Sequence, residues 1–243
     1  MHNLTQRQIE ILKAVIEEYI DTAEAVGSET LEKKHNLSAS PATIRNEMVY
    51  LSKLGYLQKP HSSAGRIPTS AGMKFYVKEL MKETQMSTME EVALKEGVWD
   101  YRDRTQRFLK EVTKSLAEKT KTLAIATIDT GEIYCSGYAN ILDMPEFYDI
   151  DITRTLLAAL DEYELFTTLF ANQPLDEEIH ILIGEDLSSY LKGPYGIVFT
   201  EFETGMNQKG TIGIIGPLRL NYTEIIPIIR YASSLISTSA KGW

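Results

Sequence analysis

Residues 40–54 read SPATIRNEMVYLSKL, and this stretch decides the fold. Ser40 is a favourable N-cap, and Pro41 stands at the first helical position, where the missing N–H of proline costs nothing. Gly55 follows as a C-terminal stop. Apolar side chains recur at helical spacing and share one face: Ile44, Met48, Leu51 and Leu54. The sequence therefore predicts a helix with one buried face and one polar face.

Shorter elements flank this helix on both sides. Thr5 and Gln8 form a capping box that predicts an N-terminal helix, and Ser28 predicts the N-cap of a short second helix that ends near His35. A Ser/Gly-rich excursion, residues 59–69, comes after the third helix. Three short helices followed by such an excursion are typical of a winged helix-turn-helix.

The polar face of the third helix has the chemistry of a major-groove reader. Asn46 can bridge the two edge groups of adenine, and Arg45 those of guanine. In residues 59–69, small side chains permit close backbone approach, hydroxyls can bond phosphate oxygens, and three side chains supply positive charge. The candidate DNA-binding residues are Ser28, Ser40, Ala42, Thr43, Arg45, Asn46, Tyr50, Lys53, Lys59, His61, Ser62, Ser63, Gly65 and Arg66. The alternatives are an ordinary solvated helix face and a surface loop without function.

The charge distribution divides the chain. Of 25 basic and 34 acidic residues, which give a net charge of −9, residues 1–83 hold 11 and 10. The remainder is strongly acidic and poorly suited to contact phosphate. These patterns predict a winged-helix DNA-binding domain at 1–83, a linker and long amphipathic helix at 84–121, and a regulatory domain at 122–243. Charged residues among the first 20 and the lack of a long apolar run predict a cytoplasmic protein.

Residues 84–121 contain a stripe of apolar side chains whose role has two interpretations. The stripe comprises Tyr101, Thr105, Phe108, Leu109, Val112 and Leu116. It can pair with the same helix of a second copy, or it can pack on its own domain, as most amphipathic helices do. Thr88 with Glu91 is predicted to cap the helix that precedes it.

Residues 122–243 alternate strand and helix patterns. Strands are predicted at Leu123–Ile128 and Ile133–Cys135 as a hairpin, and further strands at His180–Ile183, Ile197–Phe202 and Thr211–Ile215. One helix is predicted to carry the apolar residues between 152 and 165, and a closing helix starts near Tyr222 with Pro227 in its first turns. The fold class is therefore α+β, with an antiparallel sheet and flanking helices.

The sequence has none of the common signatures of an enzyme. It contains no phosphate-binding GxxxxGK[ST] loop, no GxGxxG after a strand, no GxSxG elbow and no HExxH. The four histidines are scattered, and the single Cys135 lies in an apolar strand, where it behaves as a small hydrophobic residue or, alternatively, as a redox sensor. We therefore expect no enzymatic activity, no cofactor and no metal.

Several motifs resemble the heat-inducible transcription repressor HrcA family over nearly the whole chain. They are LTQRQ at 4–8, SPATIRNEM at 40–48, LGYL at 54–57, PHSSAGRIPT at 60–69, NILDMPEF at 140–147, IGE at 183–185 and GTIGIIGP at 210–217. The resemblance implies a winged helix that reads an inverted repeat before chaperone operons, a GAF-like domain, and the GroE chaperonin as a partner that keeps the repressor active. An inverted repeat implies a homodimer, because two half-sites require a two-fold partner.

The sequence departs from the family pattern in one place. Family members usually carry a dimerising segment inserted in the GAF-like part, whereas here only a short hairpin separates residues 125–127 from residues 140–142. Two further functions remain open at this point: a ligand-sensing winged-helix regulator of other genes, and a protein-interaction module without specific DNA binding.

Overall fold

The protein is described by a computed structural model that covers residues 4–35, 37–61, 64–99, 105–171, 173, 178–187, 191, 193–204 and 208–239. The chain divides into two compact units, Met1–Lys82 and Glu83–Trp243, which we call unit 1 and unit 2. No helix within the described ranges combines the length and apolar character needed to cross a membrane.

Unit 1 is a winged helix-turn-helix, as predicted. Its elements are α1 (Gln6–Thr22), α2 (Ser28–Lys34), α3 (Pro41–Lys53), β1 (Leu57–Gln58), β2 (Ile67–Pro68) and α4 (Ser70–Phe75), which continues as a π-helical turn (Tyr76–Leu80). The capping box of Thr5 and Gln8 is confirmed, and so are the Ser40 cap and Pro41 at the first turn of α3. The prediction for Ser28 was wrong: Gly27 is the N-cap of α2, and Ser28 is its first helical residue.

Unit 2 begins with two helices, α5 (Thr88–Trp99) and α6 (Thr105–Thr120). The predicted cap of α5 was wrong by one residue. The Ser87 hydroxyl accepts the Glu90 N–H at 3.3 Å, and the Glu90 carboxylate accepts the Ser87 N–H at 2.9 Å. Because Ser87 and Thr88 stand side by side and both have a hydroxyl that can cap a helix, sequence alone does not fix this register.

The remainder of unit 2 is built around a five-stranded antiparallel sheet in the order β4-β3-β7-β6-β5. The strands are β3 (Leu123–Ile128), β4 (Glu132–Ser136), β5 (His180–Ile183), β6 (Tyr195–Glu203) and β7 (Lys209–Pro217). The helices are two 3-10 turns (Asn140–Asp143 and Pro145–Phe147), α7 (Ile150–Ala159), α8 (Tyr163–Ala171), a third 3-10 turn (Gly184–Leu187) and α9 (Tyr222–Ser239). The predicted α+β class and the predicted hairpin are both confirmed.

The apolar stripe of α6 packs within unit 2. Phe108, Val112 and Leu116 are almost completely buried, and the helix lies against β3 and β4. Tyr101, also assigned to this stripe, lies outside the described residues. Of the two interpretations, the structure supports packing on the helix's own domain, because the described apolar residues of the stripe are buried there and are not available to a second copy.

One prediction for the helices around the sheet was wrong. The single helix expected between residues 152 and 165 is two helices, α7 and α8, separated at residues 160–162. Pro227 lies within the first two turns of α9, as predicted. At this position proline has no N–H to donate to the Thr223 carbonyl. The Thr84 N–H donates to that carbonyl at 3.0 Å instead, so this backbone group is satisfied by the segment that precedes α5.

Candidate nucleic-acid interface

The third helix presents one buried and one exposed face. Ile44 and Leu51 are fully buried in unit 1 and fix the rotation of α3. The opposite face is exposed and carries Ala42, Arg45, Asn46, Val49, Tyr50 and Lys53. Tyr50 is 47% exposed although it is aromatic, which gives this face a flat apolar surface beside its polar groups.

Local hydrogen bonds hold both α3 and its start in place. The Ser40 hydroxyl accepts the Thr43 N–H at 3.3 Å, and the two hydroxyl oxygens lie 3.0 Å apart. At the middle of the helix, the Gln8 amide nitrogen donates to a Glu47 carboxylate oxygen at 3.0 Å and ties α3 to α1. Ser40 therefore caps the helix, and its side chain remains exposed to solvent.

The wing is attached to the helical part of unit 1 by backbone pairing. The Val26 N–H donates to the Arg66 carbonyl at 2.9 Å, and the Arg66 N–H donates to the Val26 carbonyl at 2.9 Å. A Cβ on Gly65 would lie 2.2 Å from the Val26 carbonyl oxygen, a distance that no side chain tolerates. The sequence predicted close backbone approach at Gly65, and the structure shows that the chain approached is its own.

A groove of about 460 Å³ opens between the start of α2, the outer side of α3 and the wing. It is lined by Val26, Gly27, Ser28, Arg45, Met48, Val49, Lys59, Ala64, Gly65 and Arg66. Among these lining residues the charged ones are all cations: Arg45, Lys59 and Arg66. Three cations around one concave surface attract a phosphate backbone even though the whole chain is acidic.

Only some of the predicted DNA-binding residues line the groove. Ser28, Arg45, Lys59, Gly65 and Arg66 line it, although Ser28 is buried and its hydroxyl has little access to a ligand. The other α3 candidates lie on its exposed face or at its start: Ser40, Ala42, Thr43, Asn46, Tyr50 and Lys53. His61 is exposed in the wing, and Ser62 and Ser63 lie outside the described residues.

Val49 belongs to the groove but was not among the binding residues predicted from the sequence. Val49 lines the groove and is 38% exposed. Its position one helical turn after Arg45 was the available signal, because side chains four residues apart share a helix face. An exposed valine is also the kind of side chain that can contact a thymine methyl group.

A buried carboxylate supports the α1–α2 corner behind this surface. Glu18 is only 6% exposed, and its carboxylate accepts from Lys34 Nζ at 2.5 Å and lies 3.4 Å from His35 Nε2. The Lys34 hydrogen bond, with a smaller contribution from His35, holds the pKa of Glu18 below its ordinary value of 4.5. A lowered pKa means that the ionised form stabilises the fold above pH 4.5, and that this stabilisation is lost as the pH falls.

We expect Glu18→Gln to lower the free energy of unfolding of the full chain by roughly 1–2 kcal/mol at pH 7, because a hydrogen-bonded charge is removed beside a half-exposed lysine. Urea unfolding followed by circular dichroism measures this difference. The difference should shrink as the pH falls below 4.5 and disappear once the pH lies below the lowered pKa of Glu18, where the folded wild-type carboxyl is protonated too. Glu10→Gln, a change at an exposed α1 carboxylate, is the matched control, and an equal loss in both variants would refute the role of Glu18.

Comparisons with known proteins give one consistent result. Residues 3–81 match the family profile described as "Winged helix-turn-helix transcription repressor, HrcA DNA-binding", and residues 69–226 match "HrcA protein C terminal domain". A heat-inducible transcription repressor HrcA of Thermomicrobium roseum is 25% identical, covering 96% of this chain and 94% of the relative. Its counterpart in Ruminiclostridium cellulolyticum is 28% identical, covering 96% of this chain and 97% of the relative.

A solved structure and the alignment lengths add two facts. A crystal structure described as that of a hypothetical protein has a TM-score of 0.79 at 18% identity and covers 98% of each chain, which supports the fold. The alignment with the Thermomicrobium roseum relative extends over 329 positions, whereas this chain has 243 residues, so at least 86 of those positions have no counterpart here. That relative therefore contains one or more internal segments, of at least that total size, that this chain lacks.

Proposed function

The chain belongs to the HrcA family of heat-inducible transcription repressors, and from that premise we propose that it binds an inverted-repeat operator as a homodimer. The observation that carries this proposal is the groove of unit 1, where Arg45, Lys59 and Arg66 surround a concave surface beside the exposed face of α3. In this proposal α3 reads base edges in the major groove, and the wing contacts phosphate.

The exposed α3 side chains divide into two roles by their chemistry. Asn46 and Arg45 have the paired donors and acceptors needed for base edges, and Tyr50 and Val49 offer apolar contact to thymine methyl groups. Lys53 and the Ser40 hydroxyl lie toward the two ends of the helix, where phosphates flank a bound groove. Lys59 and Arg66 supply the wing's positive charge. His61, Ser62 and Ser63 remain candidates for hydrogen bonds to phosphate.

The proposed mechanism is occlusion of a promoter by the bound dimer. Two winged helices related by a two-fold axis match the two half-sites of an inverted repeat. We extend the proposal to a cytoplasmic location, where operator DNA is accessible, and to the GroE chaperonin as a partner. The chaperonin rests on the family resemblance alone.

We expect Arg66→Ala to weaken binding to operator and random DNA alike and to reduce the slope of log binding constant against log salt by about one unit, because one phosphate contact is lost. Fluorescence anisotropy at four or more salt concentrations measures the slope. Arg107→Ala changes an exposed arginine of α6 in unit 2 and is the matched control. A wing that binds protein rather than DNA would show no such slope in the wild type, and that outcome would exclude the proposal.

A further inference from the structure

The outer side of α7 is an apolar surface that the described residues of the chain leave uncovered. Thr153, Leu156 and Ala159 bury the inner face of the helix. The exposed apolar side chains are Leu142 at 56%, Tyr148 at 69%, Ile150 at 65% and Leu157 at 37%. We call these four residues, together with Asp151 and Arg154, the α7 surface.

The members of the α7 surface belong to one continuous piece of structure. Ile150, Arg154 and Leu157 stand at i, i+4 and i+7, so they share one side of the helix. Tyr148 ends the second 3-10 turn and is separated from α7 only by Asp149, the N-cap of that helix. Leu142 lies in the first 3-10 turn, which packs against the second, and the second packs against α7. A fully exposed large side chain presents about 200 Å² of surface. Multiplied by the exposed fractions of the four apolar residues, this gives a total exposed area of roughly 450 Å². That area is comparable to the largest patches on monomeric proteins and to about half of one partner's share in a standard interface.

We propose that the α7 surface pairs with the α7 surface of a second copy, antiparallel across a two-fold axis; this inference rests on the homodimer of the proposed function. Charge complementarity indicates that the partner of this surface is a second copy of the chain. Asp151 and Arg154 form an ion pair of 2.8 Å and are 80% and 70% exposed, so both signs of charge lie among the apolar residues. A surface that carries both signs of charge can pair with the same surface of a second copy. The remainder of unit 2 is strongly acidic, so it repels the same region of a second copy.

The sequence positions fit an antiparallel pairing. Asp151 and Arg154 are placed symmetrically about a point between residues 152 and 153, and Tyr148 and Leu157 are symmetric about the same point. A two-fold axis through that point brings Asp151 opposite Arg154 of the second copy, and Tyr148 opposite its Leu157. Ionic and apolar contacts therefore form in one register.

Two findings favour the α7 surface over the other interfaces considered for a dimer. The other interface suggested by the sequence is the apolar stripe of α6, and its residues from Phe108 to Leu116 are buried within unit 2. The alignment with the Thermomicrobium roseum relative contains at least 86 positions that this chain lacks, so residues available to that relative cannot contribute an interface here. The α7 surface is a self-complementary alternative within the residues that remain.

Charge exchange within the α7 surface gives the sharpest test. Sedimentation equilibrium of the full chain measures the dimer dissociation constant for the wild type, for Arg154→Asp, for Asp151→Arg and for the double exchange. Each single change places like charges across the axis and should raise the dissociation constant about tenfold or more, whereas the double exchange should restore it to within about threefold. A pair that acts only within its own helix would leave the dissociation constant unchanged in every variant.

Apolar variants test the same surface independently. Leu157→Glu should raise the dissociation constant about tenfold or more because a charge is buried in the interface, and Leu142→Ser is a milder change if Leu157→Glu fails to fold. Met89→Glu, at an 81%-exposed position of α5, is the matched control and should leave it unchanged. Thermal unfolding confirms that each variant folds.

The outcomes separate this inference from the proposed function. A wild-type dimer that none of the α7 variants weakens would overturn the α7 pairing and leave the operator-binding dimer intact. A wild-type monomer at high micromolar concentration would overturn both the pairing and the homodimer. Binding to a duplex with one half-site, which needs no second copy, reports on DNA reading by α3 in either case.

Discussion

Replacing Asn46 or Arg45 with alanine should weaken operator binding about 5- to 150-fold, equivalent to about 1–3 kcal/mol, and should relax sequence preference at the base pair each side chain reads. The reason is geometric. Both side chains are exposed on α3, whose rotation is fixed by buried Ile44 and Leu51, so each can reach a base edge without rearrangement of the helix. Fluorescence anisotropy with operator and scrambled duplexes measures the loss and its sequence dependence.

Comparison with Arg66→Ala distinguishes a base contact from a phosphate contact. Loss of a base contact affects the operator far more than random DNA, whereas loss of a phosphate contact affects both equally. Arg107→Ala again controls for the removal of an exposed arginine. Equal losses on operator and random DNA for Asn46→Ala, Arg45→Ala and Arg66→Ala would contradict the assignment of α3 as the base-reading element.

Gly65→Ala should detach the wing and reduce binding to all DNA by about tenfold or more. The added Cβ would lie 2.2 Å from the Val26 carbonyl oxygen, so the two 2.9 Å hydrogen bonds between Val26 and Arg66 must break or shift. Overpacking of this kind costs typically about 1–3 kcal/mol. Displacement of the wing would also move Arg66 and Lys59 away from Arg45. Amide hydrogen exchange at Val26 and Arg66, measured alongside anisotropy, reports the detachment directly.

Gly27→Ala is the matched control for this change. Gly27 lines the same groove, but a Cβ there would meet only the Thr30 hydroxyl at an ordinary 3.8 Å. We expect Gly27→Ala to retain wing protection and DNA affinity. If Gly65→Ala kept wild-type affinity and protection, the wing would not depend on the Val26 pairing, and its place in the interface would have to be abandoned.

Local chemistry made much of unit 1 predictable. The Thr5–Gln8 capping box and the Ser40-Pro41 start of α3 depend on side chains that bond the backbone within a few residues, so the sequence contains the whole interaction. The exposed face of α3 follows from the buried face by helical periodicity. Ser28 failed as a cap because Gly27, which precedes it, takes the extended conformation and N-cap position without a side-chain bond.

Features that depend on distant residues were not predictable in the same way. Periodicity identified an apolar face on α6 but could not say whether its own sheet or a second copy covers that face. The division between α7 and α8 occurs without proline or glycine at residues 160–162, so no breaker marks it. Gly65 was assigned to DNA on its small size, and only the three-dimensional structure shows Val26 beside it.

The most direct test of the account is anisotropy titration of the full chain with a duplex carrying the inverted repeat expected for the family, against a duplex with one half-site and a scrambled duplex. We predict preference for the inverted repeat, a stoichiometry of two chains per duplex, and a steep loss of affinity with salt. Weak binding that is equal on all three duplexes and insensitive to salt would contradict the claim that this chain reads an operator through α3 and its wing.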